Sequence, residues 1–221
     1  APIAKFLSDE EKKNIVARLN AKPGDLIFMI SGPRLKALSA MGQLRLEMAE
    51  RLNLISPDAP PALLWVTDFP LFEWDEDTKR FYAMHHPFTS PRIEDVELME
   101  TNPGAVKARA YDLVLNGNEI AGGSIRIHNS KLQALMFKTL GITEQEAEEK
   151  FGFLMNAFKY GAPPHGGMAF GLDRLVMLLA GRNSIREVMA FPKTSSGMSL
   201  MDDSPSNVDA DQLKDLHIKL R

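Results

Sequence analysis

The stretch LVLNGNEIAGGSIRIH, residues 113–128, has the pattern of a β-hairpin that carries charged residues in unexpected places. Asn116-Gly117 between apolar residues is a strong signal for a two-residue hairpin turn. The second strand then carries Glu119, the pair Gly122-Gly123 and Arg126. Glycine weakens a strand and has no side chain to pack. This combination raises the question of what a carboxylate, a double glycine and a guanidinium do in an otherwise aliphatic hairpin.

The two-residue turn predicts that Val114 pairs with Glu119 and Asp112 with Ala121. Asp112 and Glu119 then lie on one face as diagonal neighbours, roughly 7 Å apart at Cβ. Two carboxylates at that separation repel each other unless a cation lies between them, and Mg²⁺ is commonly held by one or two carboxylates together with substrate phosphates. The pair is therefore a candidate metal site. The alternative is a solvated hairpin face with two unremarkable acids.

Arg126 lies seven residues after Glu119, and strict alternation places it on the opposite face of the strand. A β-bulge would bring it onto the face of Glu119, and Gly122-Gly123 is where a bulge costs little. Two alternatives remain: the glycines let a ligand lie flat on the backbone, or Arg126 pairs with a surface carboxylate elsewhere. Its apolar neighbours Ile125 and Ile127 favour a functional role.

A second stretch with several candidate functional residues is PPHGGMAFGLDRLVMLLAG, residues 163–181. A helix is predicted from Leu172 to about residue 179, with Arg174 in its first turn. A cation there opposes the helix dipole by ~0.3–1 kcal/mol, and a bound polyphosphate would offset that. A local pair with Asp173 or Glu187 is the alternative. A tight backbone that comes close to its neighbours is predicted before the helix, at Gly166, Gly167 and Gly171.

The sequence MHHPFT, residues 84–89, places two adjacent histidines before a proline. Neighbours in sequence rarely ligate one metal ion together. A hydrogen-bonding role beside an anionic ligand is the more plausible function, and the alternative is a pair of loop residues without a role.

Composition narrows the possible functions. The 221 residues carry a net charge of −3, and 44% of them are hydrophobic, as in a globular protein. The charge excludes a chain-wide basic surface for a polyanion. The absence of cysteine excludes a disulfide framework and a thiolate metal site, which leaves carboxylates and histidines for an ion such as Mg²⁺. No apolar run reaches the length of a membrane span, so no membrane partner is expected.

The order of the predicted elements indicates an α+β fold, with an antiparallel sheet flanked by helices after a proline-rich edge at residues 56–61. Helices are expected after the capping boxes that begin at Ser8 and Thr143, from Pro33 to about Leu52, and from Ser130 and Asp209. Strands are expected at residues 25–30, within 62–74 as buried strand, at 80–84, in the hairpin, and at 187–192.

Several segments together resemble a known family. GLDRLVMLLAG resembles the third signature motif of class II aminoacyl-tRNA synthetases. Residues 62–221 resemble bacterial-type aspartyl-tRNA synthetases through a series of segments in the same order: DFPLFEW, AMHHPFTSP, AYDLVLNGNEIAGGSIRIHN, EKFGFLMNAFKYGAPPHGGMAFGLDRL and AFPKT. The resemblance implies that residues 59–221 are the C-terminal part of a class II catalytic domain. It implies that residues 1–58 are the C-terminal part of a small α/β insertion domain.

The resemblance also implies roles for individual residues. His85 and Arg126 contact L-aspartate, and Arg126 holds its side-chain carboxylate. Glu119 serves ATP through Mg²⁺ together with Asp112. The ATP site is lined by Gly171, Leu172, Asp173 and Arg174, of which Arg174 is catalytic and lies against the triphosphate. The implied reaction is attack of the aspartate carboxylate on the α-phosphorus of ATP, followed by transfer to tRNA. A homodimer in the cytoplasm is implied for the intact enzyme.

One departure from the family pattern affects activity. The anticodon-binding barrel and the first two motifs of the family are expected before residue 1, and no Phe-Arg pair of the second motif occurs here. We therefore expect the isolated chain not to activate aspartate. The alternatives are a stand-alone synthetase-like binding or regulatory module, and a related asparagine synthetase or asparaginyl-tRNA synthetase. Arg126 argues against the asparaginyl enzyme, because a guanidinium prefers a carboxylate to an amide.

Overall fold

The computed structural model describes residues 2–56 and 58–219. The chain divides into two compact units, residues 1–60 and 61–221. The proline-rich segment 56–61 falls at this division, and its Pro57 lies outside the described residues. No helix in the described ranges combines the length and the apolar character needed to cross a bilayer.

The regular elements of the first unit, over its described residues, are helices. A short 3-10 helix (Pro2–Phe6) precedes α1 (Asp9–Leu19) and α2 (Arg34–Arg51). The predicted capping box is confirmed: the Ser8 side chain accepts from the Glu11 backbone N–H, and the Glu11 carboxylate accepts from that of Ser8. The strand predicted at 25–30 is wrong. That segment has no regular structure, because an apolar run becomes a strand only where another strand pairs with it.

The second unit is built on an antiparallel sheet. Over the described residues its strands are β1 (Leu63–Thr67), β2 (Phe72–Asp75), β3 (Arg80–Ala83), β4 (Ala110–Leu115), β5 (Asn118–Ile125) and β6 (Gly166–Phe170). The main sheet has the order β1-β4-β5-β6, and β2 pairs with β3. The helices are α3 (Leu98–Thr101), α4 (Ser130–Thr139), α5 (Glu144–Phe158), α6 (Leu172–Leu179) and α7 (Ala210–Asp215). The α+β prediction is confirmed.

The core of the second unit forms where α4 packs against the loops that flank the sheet. Met136 of α4 is completely buried, in a cluster that includes Leu71, Met99, Val106 and Ile127. Burying each such side chain contributes about 1.5–3 kcal/mol. Because Ile127 lies two residues after the end of β5, this core fixes the end of the strand that carries Glu119 and Gly122.

Two strand predictions in the second unit need correction. The residues of β1 are strand as predicted, but the prediction that they are buried is wrong: within the described part of the chain all five are exposed, and β1 lies at the edge of the sheet. The strand predicted at 187–192 is wrong. Ser184 and Glu187 form a capping box on a 3-10 helix (Ile185–Glu187), and this local hydrogen bonding selects a helical turn.

Candidate functional site

The hairpin of β4 and β5 contains a bulge. Leu115 pairs with Asn118 and Val114 with Glu119, which confirms the two-residue turn. Beyond that point Leu113 pairs with Ala121 and Asp112 with Gly122. The predicted pairing of Asp112 with Ala121 is therefore wrong, and the extra residue is Ile120 rather than one of the glycines.

The physical reason for the position of the bulge lies outside the hairpin. The carbonyl oxygen of Ile120 accepts a hydrogen bond from the backbone N–H of Gly171, at 2.8 Å. Gly171 is the residue immediately before α6. The Ile120 side chain is buried at the same point. The bulge thus attaches the start of α6 to the centre of the hairpin.

Two carboxylates meet above Gly122. A Cβ added to Gly122 would lie 2.6 Å from Oδ1 of Asp112 and 3.5 Å from Oε1 of Glu119. The expectation that the two acids share one face is therefore correct. Desolvation raises the pKa of Asp112, the charge of Glu119 raises it further, and the charge of His85 opposes both. A cation between the acids would relieve this repulsion. In the described part of the chain, no group of three or more acidic or histidine side chains lies close enough together to hold a metal ion.

Arg174 reaches Glu119 from α6. Its Nη1 donates a hydrogen bond to the backbone carbonyl of Glu119, at 2.9 Å, and lies 3.7 Å from Oε2 of Glu119. The partner of Arg174 is therefore neither Asp173 nor Glu187. Contact with Glu119 offsets the unfavourable place of a cation in the first turn of α6. The predicted helix bounds, Leu172–Leu179, are confirmed.

Arg126 lies on the same face as Gly122. Side chains alternate along the strand, so Gly122, Ser124 and Arg126 share one face. Strict alternation from Glu119 would place Arg126 on the opposite face, and the bulge brings the two residues onto the same face. The Arg126 backbone N–H donates to the carbonyl of His165, at 2.9 Å. Its side-chain Nη1 is buried and has no hydrogen-bond partner among the described residues. A buried guanidinium nitrogen without an acceptor is costly, so this position favours an anionic ligand.

The two histidines face different neighbours. His85 packs edge-on against Phe69, with ring centroids 4.8 Å apart, and its charge acts on Asp112. His86 lies near Arg126: desolvation of its ring, and then the charge of Arg126, lower the pKa of His86. Nδ1 of His86 accepts from the backbone N–H of Phe88, at 3.1 Å. The sequence analysis named only His85 as a substrate contact. The adjacent His86, in the same His-His-Pro segment, could have been named as a second candidate.

The close approach predicted at Gly166 occurs, but in a strand rather than in a turn, and the one predicted at Gly167 does not, because a Cβ added there would have no neighbour within 4 Å. Both residues belong to β6. A Cβ on Gly166 would lie 2.9 Å from the carbonyl oxygen of Ser124. At Gly171, immediately before α6, an added Cβ would lie 3.8 Å from its nearest neighbours, so the close approach predicted there is absent too. A separate cavity of about 720 Å³, lined by α4 and α5 residues such as Leu135 and Met155, shares none of the charged residues of this site.

The chain is similar to known tRNA synthetases. Residues 31–195 match the family described as tRNA synthetases class II (D, K and N), and residues 1–41 match the GAD domain. The aspartate–tRNA ligase of Flavobacterium psychrophilum is 56% identical over 218 residues, which is 99% of this chain and 37% of that protein. The aspartate–tRNA(Asp/Asn) ligase of Caldanaerobacter subterraneus subsp. tengcongensis is 54% identical over 220 residues, 100% of this chain and 37% of that protein.

The chain therefore spans about 37% of the length of these curated relatives. Among solved structures, the aspartyl tRNA synthetase from Entamoeba histolytica is 20% identical, with a TM-score of 0.48, and the match covers 86% of this chain and 32% of that one.

Proposed function

Because this chain belongs to the class II tRNA synthetases of the D, K and N group, we propose that its second unit carries aspartate- and ATP-binding residues of an aspartate–tRNA ligase. The proposed enzyme activates L-aspartate with ATP to give aspartyl-adenylate and pyrophosphate, and then transfers the aspartyl group to tRNA. Relatives at 54–56% identity that bear the name aspartate–tRNA ligase support the proposal.

One observation carries the choice of amino acid: the buried, unpartnered Nη1 of Arg126. A carboxylate satisfies a guanidinium with two parallel charge-assisted hydrogen bonds, whereas an amide offers one oxygen and no charge. The lowered pKa of His86 keeps that imidazole neutral at pH 7, so the positive charge of Arg126 is not duplicated beside it. Arg126, with a neutral His86 beside it, therefore favours the side-chain carboxylate of aspartate over the amide of asparagine.

The carboxylates of Asp112 and Glu119 are proposed to hold Mg²⁺. The residues fit the ion, because Gly122 leaves open the space in which both carboxylate oxygens lie and because burial, and then the charge of Glu119, raise the pKa of Asp112. When bound, Mg²⁺ would neutralise phosphate charge. Arg174 would contact the triphosphate from the start of α6, next to Gly171, Leu172 and Asp173. His85 would contact the amino-acid substrate.

The first unit is proposed to be the end of the insertion domain of this subfamily, with the boundary near residue 58. The match of residues 1–41 to the GAD domain supports this assignment. A second copy of the protein and tRNA are the proposed macromolecular partners, and the cytoplasm is the proposed location.

Aspartate-dependent exchange of pyrophosphate into ATP tests the proposal on the native protein that contains this chain. We expect exchange with aspartate and not with asparagine. Losing a charged hydrogen bond of about 1.5–3 kcal/mol predicts that Arg126→Ala lowers kcat/KM for aspartate by about 10- to 150-fold. Arg182→Ala, an exposed arginine beyond α6, is the matched control and should behave as wild type. Equal exchange with asparagine, or an unaffected Arg126→Ala variant, would refute the assignment.

A further inference from the structure

The histidine loop, residues 85–90, contains neither a helix nor a strand, so other contacts must fix it. Its backbone runs beside the end of β5: the Ser90 N–H donates to the carbonyl of Ile125, at 2.9 Å, and the Ile127 N–H donates to the carbonyl of Phe88, at 2.8 Å. These bonds set the second half of the loop. They do not reach His85, His86 or Pro87, which lie closest to the charged residues.

Phe88 anchors the middle of the loop. It is buried, and its ring lies within 6.3 Å, centroid to centroid, of three phenylalanines on α4 and α5: Phe137, Phe151 and Phe158. Apolar contacts of this kind hold a side chain in the core but do not direct a polar backbone group. His86 has local hydrogen bonds, because its Nδ1 and its carbonyl accept from the N–H groups of Phe88 and Thr89, but the carbonyl of Pro87 needs a further, directional contact.

Gln133 of α4 supplies that contact. Its side chain is fully buried, and its Nε2 donates a hydrogen bond of 2.7 Å to the carbonyl of Pro87, the residue after His86. Its Oε1 is buried and lacks a partner among the described residues. A half-satisfied buried amide is less favourable than an apolar side chain of similar size. Packing alone therefore does not account for glutamine at this position.

The helix that carries Gln133 is tied to the strand that carries Arg126. Only three residues separate Arg126 from the start of α4, and the Asn129 side chain caps that start by accepting from the N–H groups of Lys131 and Leu132. A side chain on this first turn thus holds the histidine loop at a fixed distance from Arg126.

Resting on the proposed function, we infer that Gln133 is a positioning residue for the amino-acid substrate. Through the carbonyl of Pro87 it holds His85 and His86 in register with Arg126. It acts on aspartate binding, because the histidines and Arg126 form the proposed aspartate site. It does not act on ATP binding, because Arg174 and Gly171 are fixed separately, by their hydrogen bonds to Glu119 and Ile120.

The test replaces Gln133 by methionine, which keeps the volume and removes the donor, in the native protein. Losing one neutral hydrogen bond predicts an increase of about 3- to 10-fold in the KM for aspartate, with the KM for ATP unchanged. Gln145→Met is the matched control, because Gln145 lies exposed on α5 and bonds only to Glu149. Hydrogen exchange of the Thr89 amide, which bonds to the carbonyl of His86, should become faster in Gln133→Met and not in the control.

An unchanged KM for aspartate would overturn the inference, as would equal increases in both KM values, since a merely structural role affects both substrates. If the methionine variant does not fold, Gln133→Leu serves with the same expected results. Absence of aspartate-dependent exchange in the wild-type protein would refute the proposed function, and this inference with it. If the wild-type protein shows exchange and the Gln133 variant has the same KM for aspartate as wild type, the inference alone is refuted.

Discussion

Gly122 and Gly123 are adjacent in β5, and replacing each by alanine adds the same methyl group to a different environment. At Gly122 the methyl meets the end of a rotatable side chain. At Gly123 it meets the backbone of the neighbouring strand. We predict that Gly122→Ala impairs metal use with little change in stability, and that Gly123→Ala mainly destabilises the fold.

The size of the effect at Gly123 follows from its neighbours. A Cβ there would overlap the carbonyl oxygen of Gly167 and lie 2.9 Å from the Cα of Met168. Carbon atoms in favourable contact are about 3.5–4.0 Å apart. Strand β6 must therefore move away by more than about half an ångström, which weakens the hydrogen bonds across the β5–β6 pairing. Losing two or three of them, at about 0.5–1.5 kcal/mol each, predicts a loss of about 2–4 kcal/mol in the free energy of unfolding.

At Gly122 the added Cβ would lie 2.6 Å from Oδ1 of Asp112. That carboxylate can rotate away, and alanine is itself favoured over glycine in a strand by about 0.5–1 kcal/mol. The free energy of unfolding should therefore change by less than about 1 kcal/mol. The displaced oxygen is a proposed metal ligand, and disturbances of ligand placement of this kind lower metal affinity by about 10- to 100-fold.

Chemical denaturation and the Mg²⁺ concentration required for half-maximal pyrophosphate exchange measure the two effects in the native protein. Gly42→Ala in α2 is the control, because a Cβ there has no neighbour within 4 Å. Equal losses of stability at both positions would refute the close approach of β6. An unchanged Mg²⁺ requirement in Gly122→Ala would refute the metal role of Asp112.

Three further predictions test single contacts. Because the folded pKa of Asp112 lies above its ordinary value of 3.8, its ionisation destabilises the fold at neutral pH. In metal-free buffer Asp112→Asn should therefore unfold at higher denaturant than wild type at pH 7, by a margin that shrinks as the pH falls towards 3.8. Arg174→Ala, which loses the hydrogen bond to Glu119, should raise the KM for ATP by about 10-fold or more and leave that for aspartate unchanged. Asn129→Ala removes the cap of α4 and should lower the free energy of unfolding by about 1 kcal/mol, measured by denaturation.

The sequence predicted what depends on residues close together in the chain. The capping box at Thr143, the Asn116-Gly117 turn and the bounds of α6 are all confirmed. Each is decided within about four residues, because a cap or a tight turn satisfies its own hydrogen bonds locally. The shared face of Asp112 and Glu119 was predictable for the same reason.

What depends on distant partners was not predictable. The segments 25–30 and 187–192 have strand-like composition, but no strand pairs with them in the described structure. The partner of Arg174 lies 55 positions earlier in the chain, and local spacing suggested Asp173 or Glu187 instead. The bulge was anticipated, but its position was not, because the group that selects Ile120 is the donating N–H of Gly171, immediately before a later helix.

The two arginines of the site differ in how the protein neutralises them, and this difference separates their proposed roles. Arg174 already contacts the carbonyl and the carboxylate of Glu119, so an incoming phosphate replaces or shares an existing partner. Arg126 has a buried nitrogen with no partner in the described chain, so a substrate carboxylate supplies the first one. Unpaired buried charge penalises the wrong ligand more than it rewards the right one. Discrimination between aspartate and asparagine should therefore depend on Arg126, whereas Arg174 should affect both amino acids equally.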